Sequence, residues 1–157
     1  MFHRTPVLHL IESDGVYGAE QVVLNLARHA VRDDCFSATI GCLVKDVSQR
    51  HPLYDRARLL GLPAHKLLLR NLQSPYDLLR LIFSLRRLGI GLIHAHGYKG
   101  TIAAYAAHRV TGTPALVTCH SWLRPSRPTW TYRWLTHLER RLTDTFLTWS
   151  SSPRRLP

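Results

Sequence analysis

Residues 7–29, VLHLIESDGVYGAEQVVLNLARH, contain the local signals of a strand, a loop and a helix. Residues 6–12 form a short apolar run typical of a buried strand, and the polar loop that follows contains two glycines. Beyond the loop, apolar residues recur at steps of three and four, as they do in a helix packed on a sheet: Ala19, Val22, Val23, Leu26, Ala27 and Ala30. The stretch therefore predicts a strand, a turn and a helix.

The same alternation continues along the chain. Further strands are predicted over residues 36–44, 64–69, 91–96, 114–120 and 144–150, and further helices over residues 52–61, 75–88, 99–112 and 129–142. In the helix over 75–88, the predicted apolar face consists of Leu78, Leu79, Ile82, Phe83 and Leu85. The pattern predicts a Rossmann-like α/β fold in three α/β/α layers, with a parallel sheet in the order of about 3-2-1-4-5-6. We expect one domain over residues 1–150 and a disordered or truncated tail over 151–157.

Composition limits the class of protein. The chain has 157 residues, of which 45% are hydrophobic, and this suits a single domain with a sizeable core. Its apolar runs are too short to cross a bilayer, and its start lacks the pattern of a secretory signal. A cytoplasmic location is therefore expected. Cys35, Cys42 and Cys119 lie in apolar segments, which predicts buried thiols in a reducing compartment.

The formal charge of +11 is unevenly distributed. Residues 1–77 contain nine basic and eight acidic side chains, whereas residues 78–157 contain twelve basic and two acidic ones. This asymmetry favours an anionic partner, which leaves nucleic acid, an acidic membrane and a phosphorylated substrate open beside an ordinary solvated surface. The sequence contains neither a recognition helix nor stacking aromatics on strands, so no nucleic-acid partner is expected.

The predicted helix over 129–142 combines aromatic and basic residues. Its members Trp130, Arg133, Trp134, Arg140 and Arg141 would suit an anionic membrane interface. The alternative is that the apolar side of this helix packs on the sheet.

Ligands of an open parallel sheet bind beyond the carboxyl ends of its strands, so candidate site residues are sought there. The loop after the first strand holds Gly15 and Gly18, which could let backbone N–H groups face a phosphate or could form an ordinary turn. His94 and His96 alternate onto one face of the fourth strand, and Lys99 opens the next helix. No Asp or Glu flanks the two histidines, so no metal site is predicted. The fifth strand leads to His120, Ser121 and Trp122.

Four ordered blocks resemble the family 4 glycosyltransferases: VLHLIESDGVYGAEQVVLNLARH, LIHAHGYKGTIAAYAA, PALVTCHSW and LERRLTDTFLTWSSS. The resemblance implies a GT-B fold and a retaining, metal-independent transfer from a nucleotide sugar, without a further cofactor, in a cleft between two Rossmann-like domains. This chain is similar to the N-terminal, acceptor-side domain. The implied partners are a nucleotide-sugar donor and a glycan or lipid-linked acceptor of a cell-surface pathway. The basic and aromatic residues of the helix over 129–142 add the inner face of the plasma membrane as an expected partner.

The resemblance also implies roles for single residues. The loop from Gly15 to Gly18 would approach donor phosphate and acceptor, His120 would lie beside the transfer site, and His94 and His96 would support the cleft. The family keeps its phosphate clamp and donor-binding glutamates in a second domain, so these residues alone are expected to be inactive. Two alternatives stay open, namely a non-catalytic basic binding module and the first domain of a sugar-nucleotide epimerase.

Overall fold

The computed structural model describes residues 4–118, and the statements below refer to that part of the chain. Strands and helices alternate strictly in this range. In chain order the elements are β1 (Thr5–Glu12), α1 (Gly18–Ala30), β2 (Phe36–Val44), α2 (Pro52–Leu59), β3 (Ala64–Leu68), α3 (Pro75–Arg87), β4 (Leu92–His96), α4 (Gly97–Thr111) and β5 (Ala115–Thr118).

The five strands form one parallel sheet in the order β3-β2-β1-β4-β5. This order confirms the predicted arrangement of the first five strands. The helix predicted over 129–142 and the strand predicted over 144–150 lie outside the described residues. Because β1 and β4 are neighbours, His9 lies opposite His94 and Ile11 lies opposite His96. The register therefore brings the carboxyl ends of these two strands to the same edge.

Local signals place the ends of the helices. Ser74 precedes α3, and its hydroxyl accepts a hydrogen bond from the Asp77 backbone N–H at 3.3 Å. Gly112 ends α4 in a left-handed conformation, with φ of 72°. Helix α4 begins two residues earlier than predicted because Gly97, with φ of 70°, turns the chain directly from β4 into the helix.

Helices cover both faces of the sheet. On one face, Leu8, Leu10 and Ile93 pack in a buried cluster with residues of α3 and α4. On the other face, Ile11 and Ile40 pack in a second cluster with residues of α1 and α2. Burial on both faces explains why the strands are mostly apolar rather than alternating, and the helices on both faces confirm the three-layer α/β/α prediction.

Three predicted features of the core are wrong in part. Helix α3 buries Leu81, Ile82 and Leu85. Leu79 and Phe83 are exposed, because they lie on a side of the helix next to the buried face. Cys35 is exposed, in the turn before β2 where Asp33 accepts its backbone N–H. Two apolar residues predicted in the stripe of α1 are exposed as well, namely Val22 and Leu26.

Candidate functional site at the carboxyl edge of the sheet

The loops that follow β1, β2 and β4 meet at the carboxyl edge. Gly15 and Gly18 lie after β1, and His94, His96 and Lys99 lie at the end of β4 or in the start of α4. The register of these neighbouring strands brings the predicted glycines and histidines to one edge. The other predicted site residues lie outside the described part of the chain and stay predictions: His120, Ser121, Trp122, Trp130, Arg133, Trp134, Arg140 and Arg141.

Two backbone N–H groups of the loop between β1 and α1 already donate hydrogen bonds to side chains of the protein. The Gly15 N–H donates to Ser13 Oγ at 3.2 Å, and the Tyr17 N–H donates to Glu20 Oε2 at 2.9 Å. The Tyr17 ring also covers Gly15 so closely that a Cβ at position 15 would lie 2.5 Å from it. A carboxylate of the chain itself thus occupies the Tyr17 N–H. The space around Gly18 is open, so the predicted approach of a ligand to this loop has room there.

Three histidines cluster on the sheet beside this loop. His94 and His96 of β4 stack with ring centroids 4.2 Å apart, as strand alternation predicts. His9 of β1 joins them, because its Nδ1 lies 3.3 Å from His96 Nε2. His94 Nε2 in turn lies 2.7 Å from the Thr118 hydroxyl of β5. The cluster therefore links the three strands β1, β4 and β5 by polar contacts.

Burial keeps His9 uncharged. Burial and, as the smaller cause, the nearby His94 together lower the pKa of His9 to about 4. Ring nitrogens of the three histidines lie within 4.8 Å of one another, and three imidazoles are a known ligand set for a divalent transition metal. Here these nitrogens take part in the contacts with one another and with Thr118. A metal bound to these three histidines would therefore have to replace existing hydrogen bonds.

Lys99 ties α4 to the end of β1 through an ion pair with Glu12. Partial burial opposes protonation of Lys99, but the hydrogen bond and charge of Glu12, together with Tyr98, outweigh it and raise the Lys99 pKa. Lys99 is therefore a cation at the predicted edge, and its charge is already compensated by Glu12.

A cavity of about 550 Å³ opens between the loops that follow β1 and β2. Its wall is formed by residues 12–14, at the end of β1 and in the loop after it, and by residues 43–46 and 49–52, between the end of β2 and the start of α2. Lys66 of β3 supports the second loop from behind, because its Nζ donates to the Val47 carbonyl at 3.1 Å and to the Gln49 carbonyl at 2.6 Å. The cavity thus lies at the same edge as the predicted residues, on the side of β2.

His51 lies in the wall of this cavity immediately before α2. Its Nδ1 accepts a hydrogen bond from the Tyr54 backbone N–H at 3.4 Å and so caps the helix. Burial, followed by the charge of Lys66, lowers the pKa of His51. Among the described residues, no hydrogen-bond partner reaches the buried Nε2 of the same ring.

Sequence reasoning missed both His9 and His51. His9 lies between apolar residues of β1, so it could be recognised as a residue of a buried strand. Its contact with His96, 87 residues later in the chain, depends on the pairing register of β1 and β4. His51 precedes Pro52, and a polar residue before a proline at a helix start is a recognisable N-cap signal.

The five strands form a parallel sheet in the order 3-2-1-4-5, with helices on both faces and polar residues at the carboxyl edge. This is the fold of the N-terminal, Rossmann-like half of a GT-B protein. The sequence also matches the description "Glycosyltransferase Family 4" over residues 16–155. The chain therefore belongs to Glycosyltransferase Family 4, as the four blocks predicted.

Solved structures share this fold at low sequence identity. HepE of Anabaena, in complex with UDP and glucose, is 17% identical with a TM-score of 0.67, and the match covers 92% of this chain and 37% of HepE. The UDP-GlcNAc 2-epimerase of Neisseria meningitidis, bound to UDP-GlcNAc, is 16% identical with a TM-score of 0.62, over 90% of this chain and 38% of the epimerase. MurG of Acinetobacter baumannii is 14% identical with a TM-score of 0.58, over 98% of this chain and 43% of MurG.

The chain thus spans well under half the length of these proteins. A comparison with curated proteins finds no significant match. Among the described helices, none combines the length and apolarity that a membrane crossing requires.

Proposed function

We propose that this domain forms the acceptor side of a retaining glycosyltransferase that uses a nucleotide-sugar donor to build a cell-surface glycan or glycolipid. The observation that carries the proposal is the family match over residues 16–155. A polar carboxyl edge with a cavity supports it, because ligands of this fold bind there. His120, Ser121 and Trp122 are proposed to complete this edge beside His94 and His96.

The donor is proposed by analogy with HepE, whose structure contains UDP and glucose. The chain spans 37% of HepE, so we do not expect the 157 residues alone to transfer sugar. The acceptor side, in contrast, is contained in the domain and can be tested directly. Purified chain applied to a glycan array should bind a subset of the glycans. Binding to labelled RNA with no binding to any glycan would instead favour a basic nucleic-acid module and contradict the proposal.

A sugar-nucleotide epimerase is the alternative within the same fold. The structural similarity to the Neisseria meningitidis epimerase concerns the fold alone at 16% identity. The match to a glycosyltransferase family favours the transferase. An epimerase needs no separate acceptor, so glycan binding by the chain also distinguishes these two functions.

We further propose that the protein binds peripherally to the inner face of the plasma membrane, and one face of α3 favours this. Tyr76, Leu79 and Phe83 follow one another at helical spacing, and their exposed fractions are 71%, 48% and 63%. Arg86 and Arg87 are exposed in the last turn of the same helix. Asp77 is the one acidic residue of α3, and exposed aromatic residues together with arginines are complementary to an anionic lipid surface.

Vesicle sedimentation tests the membrane proposal. The full chain should bind phosphatidylglycerol vesicles more strongly than phosphatidylcholine vesicles, and Phe83→Ser should weaken binding about tenfold. Leu59→Ser is the matched control, because Leu59 is an exposed apolar residue of α2. Equal binding by wild type and Phe83→Ser would exclude α3. The interface proposed at Trp130, Arg133, Trp134, Arg140 and Arg141 would then be tested by Trp130→Ser and Trp134→Ser.

A further inference from the structure

Strand β5 ends at Thr118, and a side-chain contact ties this end to the neighbouring strand. β5 has four residues and, among the described strands, pairs with β4 alone. The ends of short strands fray easily. Thr118 lies opposite His96 in the register, but its hydroxyl contacts His94 diagonally, with 2.7 Å between Thr118 Oγ1 and His94 Nε2. One polar contact thus crosses from β4 to the last residue of β5.

Two further histidines hold the ring of His94 in place. Its centroid lies 4.2 Å from that of His96 and 5.0 Å from that of His9. Both neighbours are buried, and they are joined through Nδ1 of His9 and Nε2 of His96 at 3.3 Å. A side chain packed in this way has little freedom to rotate, so its polar atoms are held in a fixed direction. Residues of β1 and β4 together therefore set the position of His94 Nε2.

The hydrogen bond between His94 and Thr118 gives direction more than stability. Two apolar side chains of the same shapes could stabilise this half-buried position about as well, because the net contribution of a hydrogen bond to folding is small. A hydrogen bond, however, requires a short distance and a narrow range of angles. The Thr118 hydroxyl can donate to Nε2 or accept from Nε2–H, so the bond forms with either tautomer of His94. The bond therefore restrains the point at which the backbone of β5 leaves the sheet.

We propose that His94 is a positioning residue: through its hydrogen bond with Thr118 it sets the course of the chain that follows β5. The inference rests on the proposed function, which assigns the next residues, His120, Ser121 and Trp122, to the acceptor edge. His120 is only two residues beyond Thr118, so a displacement of Thr118 moves His120 with it. In this role His94 acts on the site through Thr118 rather than by contact with a ligand.

Three substitutions separate positioning from overall stability. Thr118→Val removes the hydroxyl and keeps the shape of the side chain, whereas Thr118→Ser keeps the hydroxyl. Thr113→Val is the matched control, because Thr113 is also half-buried and its hydroxyl also takes part in a hydrogen bond of 2.7 Å, with Thr111. This second bond lies before the start of β5, at the opposite edge of the sheet.

The experiment combines NMR of histidine side chains with amide hydrogen exchange of the full chain. Thr118→Val should shift the ¹⁵N resonance of His94 Nε2 and accelerate exchange at residues 116–120 about tenfold, with little change in β1 and β2. Thr118→Ser should stay close to wild type in both measurements. Thr113→Val should leave the His94 resonance and exchange at residues 116–120 unchanged. Chemical denaturation should show that all three variants remain folded.

Binding to the glycan array connects the contact to the proposed site. Thr118→Val should bind the recognised glycans about tenfold more weakly than Thr118→Ser or Thr113→Val. The inference is wrong, while the proposed function stands, if Thr118→Val binds as well as wild type, if its His94 resonance is unchanged, or if exchange accelerates equally in all strands. If wild type binds no glycan, the proposed function fails, and the role of His94 at an acceptor site fails with it.

Discussion

Gly100 in α4 packs directly on the backbone of Leu10 in β1: a Cβ at position 100 would lie 2.8 Å from the Leu10 carbonyl oxygen. A glycine inside a helix usually costs stability relative to alanine. Here glycine is more favourable than alanine, because α4 lies close to the central strand β1 and the backbone of β1 cannot move aside without disturbing the sheet.

Gly100→Ala is therefore expected to destabilise the domain, by about 1–3 kcal/mol. Chemical denaturation of the full chain measures this difference. Gly18→Ala is the control, since Gly18 begins α1 and a Cβ there meets no atom within 4 Å. Equal stability of Gly100→Ala and wild type would show that α4 lies farther from β1 than described.

His9 should make the stability of the domain depend on pH. Its folded-state pKa of about 4 lies below the unfolded value of 6.5, so the unfolded chain takes up a proton first as the pH falls. The contribution is fully present above about pH 6.5 and is lost as the pH falls through about 4, with a total of about 3 kcal/mol. Free energies of unfolding measured across this range check the expectation. His9→Gln, which cannot titrate there, should show a flatter dependence, and an unchanged slope would contradict it.

Zinc should not stabilise the protein through the histidine cluster. Binding at His9, His94 and His96 would have to replace the His9–His96 and His94–Thr118 hydrogen bonds. We expect an equimolar amount of Zn²⁺ to leave the thermal midpoint of the full chain unchanged. A rise in the midpoint that disappears in His9→Gln would establish a metal site instead.

Cysteine reactivity should follow exposure. Burial raises the pKa of the Cys42 thiol to about 12, whereas Cys35 is exposed. Iodoacetamide at about neutral pH should therefore modify Cys35 in the native protein and leave Cys42 unmodified until the chain is denatured. Peptide mass spectrometry reads each position separately. Rapid native labelling of Cys42 would show that the core around β2 opens easily.

Much of the fold could be predicted because its signals are local. Apolar runs of strand length, helical spacing and glycine or proline at the turns placed all nine described elements within about two residues, in agreement with the usual uncertainty of element ends. The face of α3 could not be located in the same way, because five apolar residues cover a wider arc than the sheet buries. Packing against β3 and α4 decides that Leu81 is buried and Phe83 is exposed.

The candidate site was predictable only within single strands. Alternation places His94 and His96 on one face, and this is confirmed. The addition of His9 depends on the register between β1 and β4, which no local pattern encodes. The cavity at His51 depends on the path of the loop after β2. That path is held by bonds to a residue of another strand, so reading the loop alone could not reveal it.

The contact of Lys66 with the loop after β2 affects how the cavity can change during evolution. Its ammonium group holds the loop after β2 from outside the cavity, at the Val47 and Gln49 carbonyls. A substitution in the edge strand β3 can therefore reshape the cavity while every residue of the cavity wall stays the same. Substitutions outside the cavity wall can thus change ligand selectivity, and two close homologues with identical cavity linings need not accept the same molecule.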